Sequence, residues 1–253
     1  MTPLSVVIIT YNEEKNITRC MQSVMPIADE VVVLDSFSTD RTAAIVQELG
    51  GVLRQRTFTG YGAQKNAAAA LAAHDHILFL DADEALSEQL CSSIRQEKLK
   101  GFPQDGYLMN RLNSYLGQWI RHGSWYPDRK LRLANKKNSA WSLDDVHESL
   151  VPDKNARIGL LIGDLLHYTY TNYDDHVDKN NRYSRLSAQM LFEKRKKATW
   201  FKLVFNPFWA FFTSYFLRAG FLDGFNGFVI AVHIGHLTFL KYSKLYRLNH
   251  PNL

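Results

Sequence analysis

Short apolar runs alternate with amphipathic stretches along the first hundred residues of the chain. The runs Leu4–Thr10, Glu30–Asp35 and His76–Leu80 predict strands, and a shorter strand is predicted near Val52–Gln55. The run that ends at Asp81 is almost wholly apolar, which predicts that both faces of that strand are covered. Strands that alternate with helices in this way are typical of a parallel α/β sheet.

Helical patterns lie between and after these strands. Asn12, with two acidic residues behind it, predicts a capped helix that continues to Met25. A second helix is predicted after Ser36–Asp40 and continues to Leu49. The remaining helices are predicted at Ala63–Ala73, 87–99 and Tyr173–Lys197.

Charge is distributed unevenly along the chain, whose formal net charge is +5. Residues 1–189 hold 21 Lys and Arg against 23 Asp and Glu, which gives −2, whereas residues 190–253 hold 9 against 2, which gives +7. The two parts are therefore expected to have different partners. Cys20 and Cys91 form no metal or redox spacing, which predicts two buried free thiols in a reducing cytoplasm. No signal peptide is expected, because Met1–Pro3 leads directly into the first strand.

Polar and acidic residues follow three of the predicted strands. They are Tyr11, Asn12 and Glu13 after the first strand, Asp35 after the second, and Asp81-Ala-Asp83-Glu84 after the fourth. Ligands of open α/β sheets bind outside the carboxyl ends of the strands, so we expect these residues to share a site. The carboxylates of Asp81 and Asp83 suit Mg²⁺ or Mn²⁺, which would complete its shell with diphosphate oxygens and water. Such an ion stabilises a nucleotide diphosphate as it leaves.

Three motifs of other nucleotide-binding or hydrolytic enzymes are absent from the sequence. There is no Gly-x-x-x-x-Gly-Lys-Ser/Thr phosphate loop and no Gly-x-Gly-x-x-Gly after the first strand. The Gly-x-Ser-x-Gly elbow is missing as well. These absences argue against an NTPase, a dinucleotide dehydrogenase and an α/β-hydrolase.

Two sets of motifs point to a known family. The first set is Val7-Ile-Ile-Thr-Tyr-Asn-Glu-Glu14, Asp35-Ser-Phe-Ser-Thr-Asp40, Gln64-Lys-Asn66 and Leu80-Asp-Ala-Asp-Glu84. Together these resemble inverting family 2 glycosyltransferases with the GT-A fold. The second set is Trp125-Tyr-Pro-Asp-Arg-Lys-Leu-Arg-Leu133, Val146-His-Glu148 and Arg218-Ala-Gly-Phe-Leu-Asp-Gly-Phe-Asn-Gly-Phe228. These resemble, more narrowly, the bacterial branch that contains the lipopolysaccharide inner-core β-1,4-glucosyltransferases.

The resemblance implies an α/β architecture and a domain plan. A Rossmann-like sheet with helices on both faces would bind the nucleotide sugar, and a C-terminal helical, amphipathic extension would follow it. The catalytic domain is predicted at residues 1–172, with a nucleotide-sugar-binding half at 1–100 and an acceptor-binding half at 101–172. Residues 173–253 are predicted to form a helical region with membrane-interface helices.

The resemblance also implies roles for individual residues. The residues that would line the nucleobase and ribose are Thr10, Tyr11, Asn12 and Glu13, and Asp35 would accept from a base N–H. The other nucleotide-sugar ligands would be Gln64, Lys65, Asn66, Asp81 and Ala82. Asp83 is the first candidate for direct metal coordination and Asp81 the second. A solvated lysine on a helix is the alternative interpretation of Lys65.

An inverting transfer is one in-line displacement, so a carboxylate must deprotonate the acceptor hydroxyl. Glu148 is the predicted base, because it follows the Asp-x-Asp pair by about the interval that this fold uses. Asp144 and Asp145 are rivals, and a structural Glu148 is the remaining alternative. His147 would orient Glu148 or contact the acceptor. His167 closes an apolar strand and is either a third metal ligand or a structural histidine.

Basic and aromatic residues cluster in the middle of the chain. They are Arg111, Arg121, Arg129, Lys130 and Arg132 with Trp119, Trp125 and Tyr126. Aromatic faces pack on sugars and guanidinium groups bind phosphate, so an anionic saccharide acceptor fits this segment. The predicted acceptor-binding residues are Trp125, Tyr126, Arg129, Arg132 and His147. A single-stranded nucleic-acid platform has a similar composition, but the acidic balance of residues 1–189 argues against nucleic acid.

The C-terminal segment is apolar, aromatic and flanked by cations. Leu203–Leu217 carries no charge but contains Pro207, and Gly224–Leu240 has no Lys, Arg, Asp or Glu but includes polar residues and glycines. A spanning helix needs ~20 predominantly apolar residues. Residues 200–246 therefore predict helices that lie in a membrane interface. A buried helical cap or dimer contact and a true membrane span are the alternatives.

The sequence thus predicts an inverting, metal-dependent hexosyltransferase with Mg²⁺ or Mn²⁺ as its cofactor. The hypothesis is transfer of glucose from UDP-glucose to a lipid-linked envelope oligosaccharide, such as the lipopolysaccharide inner core. The protein would sit peripherally on the inner face of the bacterial inner membrane. One alternative is transfer of N-acetylhexosamine or galactose to a different envelope glycan. A non-catalytic nucleotide-sugar-binding scaffold is a further alternative, disfavoured because a binding module needs no base.

Overall fold

The computed structural model describes residues 1–143 and 148–251. The strands are β1 (Leu4–Thr10), β2 (Glu30–Asp35), β3 (Val52–Gln55), β4 (His76–Asp81), β5 (Glu84–Leu86), β6 (Gly106–Tyr115), β7 (Gln118–Trp119), β8 (Asp128–Asn135), β9 (Ser139–Trp141), β10 (Leu150–Pro152) and β11 (Ile158–Tyr170). The helices are α1 (Ile17–Val24), α2 (Thr42–Glu48), α3 (Tyr61–Leu71), α4 (Glu88–Leu99), α5 (Tyr173–Glu193), α6 (Trp200–Phe212) and α7 (Gly224–Asn249). Strands and helices alternate through the first hundred residues, as the sequence predicts.

The main sheet has the strand order β3-β2-β1-β4-β8-β6-β11-β5, and β7 pairs with β6. The pairs β1–β2, β1–β4 and β2–β3 are parallel, whereas β8 runs antiparallel to β4. A separate antiparallel ribbon joins β9 to β10. The predicted α/β class is therefore confirmed, with a parallel half that continues into a half whose described strand pairs are antiparallel.

Helices cover both faces of the parallel strands. Side chains of a strand alternate between the two faces, and those of β1 do so strictly. Val6 and Ile8 pack in one buried cluster with Met21 of α1, while Val7 packs in the opposite cluster with Ala68 of α3. Central strand β4 contributes to both clusters and is buried from its second to its fifth residue. The prediction that both faces of β4 are covered is confirmed.

Two predicted helix ends were wrong, and local geometry explains both. The first helix begins at Ile17 instead of Asn12, because Asn12 adopts a left-handed backbone with φ +54° that cannot open a helix. The long helix ends at Glu193 instead of Lys197, because Arg195, within the run of four cations that follows, has φ +55°. Both cysteines are free thiols; Cys20 is buried as predicted, whereas Cys91 is half-buried.

The chain divides into two compact units. The first comprises residues 1–111 and 128–167, and the second comprises residues 112–127 and 168–253. The first unit holds the parallel strands and α1 to α4. In the second unit, α7 packs against both α5 and α6. The predicted domain boundary at residue 173 stays a prediction.

The second unit contains the aromatic C-terminal segment. Among the described residues, 1–143 and 148–251, none of the helices has the length and apolar character that crossing a bilayer requires. Between α6 and α7 the chain forms a π-helical turn at Thr213–Leu217 and a 3₁₀ turn at Gly220–Asp223. The segment is helical over most of its length, as predicted.

Candidate active site

The carboxyl ends of β1, β2 and β4 meet at one edge of the sheet. Thr10 is paired with Asp35 across β1 and β2, and Ile9 is paired with Asp81 across β1 and β4. The strand register therefore places three predicted site residues, Thr10, Asp35 and Asp81, in adjacent positions. The hydroxyl oxygen Oγ1 of Thr10 is buried and has no hydrogen-bond partner in the described part of the chain. A buried polar atom without a partner marks a place where a ligand can bind.

Asp81 is held between two cations. Lys65 Nζ lies 3.0 Å from Asp81 Oδ1, and Arg132 Nη2 lies 2.9 Å from Oδ2. Burial acts to raise the pKa of this carboxyl, but the charges of Arg132 and Lys65 outweigh it, so the pKa falls well below its usual range. Asp81 is therefore ionised at any physiological pH and fixes two positive charges at the strand end.

Arg132 joins Asp81 to a fully buried glutamate. Its Nη2 donates to Glu84 Oε1 at 2.8 Å, and Glu84 Oε2 accepts from the backbone N–H of Asp81 at 3.0 Å. The Glu84 side chain has no exposed surface, and the Arg132 side chain is 5% exposed. Arg111 Nη1 lies 3.8 Å from Glu84 Oε1. Buried charges need such partners, since removal of one leaves the other unpaired at high cost.

Glu148 reaches the same network through Lys65. Its Oε1 lies 3.2 Å from Lys65 Nζ, which also contacts Asp81, and its side chain keeps 21% of its surface exposed. The lysine is 3% exposed and its Nζ lies 4.3 Å from the ring centroid of Trp141. Lys65 is thus a buried cation between two carboxylates, and the interpretation as a solvated surface lysine was wrong.

Contacts between α3 and β9 hold Trp141 and Ser142 against the helix. The Asn66 amide donates to the carbonyl oxygen of Trp141, and its oxygen accepts from the Trp141 N–H, both at 2.9 Å. Gly62 approaches the Ser142 carbonyl so closely that a Cβ there would collide with it. Asn66, predicted to bind the nucleotide, therefore has its amide engaged by the backbone of β9.

Asp83 faces His167 across the β5–β11 pairing. His167 is paired with Glu84 in the strand register, and its Nε2 lies 3.3 Å from Asp83 Oδ2. Cis ligands of an octahedral cation with bonds near 2.1 Å are separated by about 3.0 Å, so these two atoms fit one divalent ion. The carboxylate oxygen is a donor that suits Mg²⁺ and Mn²⁺. No group of three or more His, Cys, Asp or Glu with ligand geometry occurs in the described residues.

Asp35 is fully buried and accepts several hydrogen bonds. The Ser38 backbone N–H donates to both carboxylate oxygens at 3.2 and 3.0 Å, the Ser38 hydroxyl donates to Oδ1, and Gln55 Nε2 donates to Oδ2 at 3.0 Å. Asn12 ties the loop after β1 to the same turn, since its N–H donates to Ser38 Oγ and its Oδ1 accepts from the Thr39 N–H, both at 2.8 Å. The two loops therefore form one rim.

The other predicted nucleotide ligands differ in accessibility. Tyr11 is 57% exposed at this rim, whereas Ala82 packs in the main core cluster at 4% exposure. The Glu13 N–H donates to Thr42 Oγ1 at 2.8 Å, and Glu13 Oε2 accepts from the Asn16 amide at 2.7 Å. Gln64 is buried and donates to Ser36 Oγ at 3.2 Å. Tyr11 is thus an open aromatic surface at this edge.

Comparison with known proteins decides the family. The model of the family described as "Glycosyl transferase family 2" matches residues 5–150. The chain belongs to this glycosyltransferase family. Both the family resemblance and the GT-A fold predicted from the motifs are confirmed.

Relatives of this glycosyltransferase cover nearly its whole length. An uncharacterised glycosyltransferase of Rickettsia typhi is 34% identical over 98% of this chain and 88% of its own length. The lipopolysaccharide core biosynthesis glycosyltransferase LpsC of Rhizobium meliloti is 31% identical over 97% of this chain and 92% of its own. These matches extend past the family model into the C-terminal helices.

A solved structure has the same fold. The mannosyltransferase PcManGT of Pyrobaculum calidifontis, in complex with GDP-Man and Mn²⁺, covers 97% of this chain and 87% of its own, with a TM-score of 0.58 and 14% identity. At that identity the likeness concerns the fold alone. It extends over both compact units of the glycosyltransferase.

The predicted acceptor residues of the glycosyltransferase are distributed over both compact units. In the first unit, Arg129 is exposed on β8, while Arg132 is buried with Asp81 and Glu84. In the second unit, Trp125 stacks on Tyr170 with ring centroids 5.6 Å apart. The remaining acceptor prediction in that unit is Tyr126, which is half-buried. His147 and the rival bases Asp144 and Asp145 lie outside the described residues.

The sequence gives no individual role to Glu84 and none to Trp141. It places Glu84 among the strand-end residues expected to share the site, but the burial of its charge beside a cation is seen only in the structure. Its partner Arg132 was assigned to the acceptor instead. Trp141, whose ring faces the cations of Lys65 and Arg132 at 4.3 and 5.4 Å, carried no signal beyond its residue type.

Proposed function

We propose that this glycosyltransferase moves a hexose from a nucleotide sugar to a lipid-linked oligosaccharide of the bacterial envelope, with inversion at the anomeric carbon. Glucose from UDP-glucose is the first candidate donor, and the lipopolysaccharide inner core is the first candidate acceptor. The name of LpsC, a lipopolysaccharide core glycosyltransferase, supports this acceptor class. The reaction would take place at the inner face of the inner membrane, where lipid-linked acceptors are exposed.

The observation that carries the proposal is the Glu148–Lys65–Asp81 connection. A glutamate with exposed surface lies 3.2 Å from a lysine that also holds a carboxylate at the nucleotide edge of the sheet. A base beside a diphosphate site is what in-line sugar transfer needs, since attack and departure occur on opposite sides of one carbon. A pure binding module would need the nucleotide edge but not Glu148.

Glu148 would take the proton of the acceptor hydroxyl as its oxygen bonds to the anomeric carbon of the donor. The bond between that carbon and the diphosphate oxygen breaks, and its electron pair leaves with the nucleotide. Asp81 and Lys65 position the nucleotide side of the site, and the Thr10 hydroxyl and Tyr11 ring would contact the base and ribose. A divalent cation held by Asp83 and His167 would supply positive charge to the departing diphosphate.

Solved structures that share the fold support the proposal of a divalent cation and a nucleotide-diphosphate donor. PcManGT binds GDP-Man and Mn²⁺. The glucosyl-3-phosphoglycerate synthase of Mycobacterium tuberculosis, which matches 75% of this chain with a TM-score of 0.50 and 18% identity, was solved with Mn²⁺, UDP and phosphoglyceric acid. Mn²⁺ is therefore the first cation to test, with Mg²⁺ second.

A donor panel tests the proposal. The protein is incubated with UDP-, GDP- and dTDP-sugars, Mn²⁺ and deacylated core oligosaccharide, and nucleotide release and product linkage are measured. We expect UDP release from UDP-glucose and a β-linked product. Preferred use of UDP-N-acetylhexosamine or UDP-galactose would show that UDP-glucose is not the donor. Donor binding in calorimetry without nucleotide release from any donor would indicate a nucleotide-sugar-binding scaffold instead of an enzyme.

A further inference from the structure

One face of α6 is apolar and open to solvent. The exposed residues are Phe201, Val204, Phe205, Phe208 and Trp209, at 69, 69, 41, 61 and 48% exposure. Their spacing of three and four residues places them on one side of the helix, and we name this set the α6 stripe. A surface helix normally turns such a stripe towards the core and its polar residues towards water. In α6 an apolar stripe faces the solvent instead, and the helix has no buried residue.

Packing of the opposite face fixes this orientation. A Cβ at Gly235 of α7 would lie 3.1 Å from the Pro207 carbonyl oxygen and 3.5 Å from Phe211 Cβ, so the two helices approach closely there. At the helix start, Thr199 Oγ1 accepts from the Lys202 N–H at 3.3 Å. Rotation of α6 to hide the stripe would break the approach to Gly235. The stripe therefore faces outwards as a consequence of the fold.

Aromatic rings continue the apolar surface beyond α6. Trp209 and Phe212 have ring centroids 5.7 Å apart, and Phe212 and Phe216 5.1 Å. Leu222, in the 3₁₀ turn, and Phe225, at the start of α7, are 60 and 72% exposed. Contiguous apolar patches of this kind on a soluble protein mark a binding surface.

The charges beside the stripe are mostly positive, with Glu193 as an exposed acidic residue next to the basic run. Residues 190–253 carry a net charge of +7, and the exposed run Lys194–Lys197 directly precedes α6. Arg218 is exposed in the turn after the π-helical segment. The acidic Asp223 is 6% exposed and accepts from the backbone N–H groups of Arg121 and His122, so it adds no negative charge to the surface. A second copy of this chain would bring an equally basic surface against it, which costs energy.

We propose that the α6 stripe inserts into the interface of an anionic lipid bilayer, with Lys194–Lys197 bound to its phosphate groups. Aromatic side chains are stable at the level of the headgroups, and cations beside them attract negative lipids. This deepens the membrane localisation proposed above. It is independent of the reaction, because vesicle binding needs neither donor nor acceptor.

Vesicle flotation of the full chain tests this contact. The vesicles contain phosphatidylcholine alone or with about a third phosphatidylglycerol. We expect the protein to float with the anionic vesicles, and the triple variant Phe201→Ser/Val204→Ser/Phe208→Ser to lose at least about tenfold in its partition coefficient. The control Leu160→Ser/Ile162→Ser removes apolar residues that are 51 and 66% exposed on β11 and should bind as the wild type does.

Tryptophan quenching tests the same contact in a chain with an intact stripe. Brominated phosphatidylglycerol should quench the wild type, and Trp209→Phe should lose part of that quenching. Wild type that stays unbound with anionic vesicles, or a stripe variant that floats equally well, would overturn the proposal. A dimer in light scattering that the stripe variant converts to monomer, without vesicle binding by the wild type, would assign the surface to a second copy instead.

Discussion

Glu148 Oε1 lies 3.2 Å from the Nζ of Lys65, although 83 residues separate the two in the chain. The same Nζ lies 3.0 Å from Asp81 Oδ1, so one buried ammonium joins the candidate base to the nucleotide edge of the sheet. A positive charge that is already in place beside the departing diphosphate can stabilise it without rearrangement of the site during the reaction. The proposed sugar transfer depends on these contacts.

Lys65→Met removes the shared cation while it keeps most of the side-chain volume. We expect transfer to fall by at least about 10²-fold, because Asp81 and Glu148 lose the charge that positions them. Turnover and nucleotide affinity are measured together with thermal unfolding. Lys137→Met, which removes an exposed ion pair with Asp75, is the matched control and should leave turnover unchanged. A fully active Lys65→Met would show that the network has no part in the reaction.

Asp83→Asn and His167→Ala test the metal assignment. Each variant should weaken Mn²⁺ binding by about 10- to 100-fold in calorimetry, since each removes one donor of the proposed pair. His236→Ala, at an exposed histidine of α7, should keep the wild-type isotherm. Chelator should abolish transfer by the wild type and added Mn²⁺ should restore it. An unaltered isotherm for His167→Ala would return that histidine to a structural role.

Arg132→Met tests the buried ion cluster. It leaves Glu84 without its 2.8 Å partner in a site with no solvent exposure, so we expect a loss of about 3 kcal/mol in the free energy of unfolding. Adding Glu84→Gln to Arg132→Met should recover part of the loss, because the unpaired charge is gone. Arg157→Met, at an exposed pair with Asp105, should change stability by less than about 1 kcal/mol in the same urea titration. Equal losses for the Arg132 and Arg157 variants would contradict the assigned burial.

His176 in the second unit predicts acid sensitivity of the fold. Burial, with the nearby His233 and Lys179, lowers the pKa of His176 to about 3, and its Nδ1 lies 3.0 Å from the Tyr115 hydroxyl oxygen. The unfolded chain binds a proton here below about pH 6.5 while the folded chain does not, so stability is lost as the pH falls from about 6.5 towards about 3. Between about pH 7 and about pH 5 the loss attributable to this group is up to about 2 kcal/mol.

Urea unfolding at both pH values measures this loss. His176→Phe should flatten the pH dependence, whereas His236→Phe, at an exposed histidine, should keep the wild-type slope. Identical slopes for the wild type and His176→Phe would mean that other groups control acid unfolding.

Local patterns predicted the parallel half of the fold. The ends of β1 and β2 lie where the apolar runs end, because both strands are buried along almost their whole length. The start of α1 was harder to predict, since Asn12 is held in a left-handed turn by Ser38 and Thr39, which follow it by more than twenty residues. A capping pattern contains no information about such a distant partner.

The candidate site was likewise predictable only in part from the sequence. Strand ends identified Asp35, Asp81 and Asp83, whose positions follow from sheet topology alone. The role of Arg132 could not be predicted, because its contact with Glu84 joins residues 48 apart and depends on which face of β8 is buried. Cation–carboxylate pairs of this kind are selected by three-dimensional packing, which a pattern of residue types does not encode.

Glu148→Gln tests the central claim most directly. Calorimetry with UDP and Mn²⁺ is run beside transfer from UDP-glucose to the core oligosaccharide, for wild type and variant. The account predicts UDP affinity within about threefold of wild type and transfer reduced by at least about 10²-fold, since the amide cannot accept the acceptor proton. Turnover equal to that of the wild type, with UDP still bound, would contradict it.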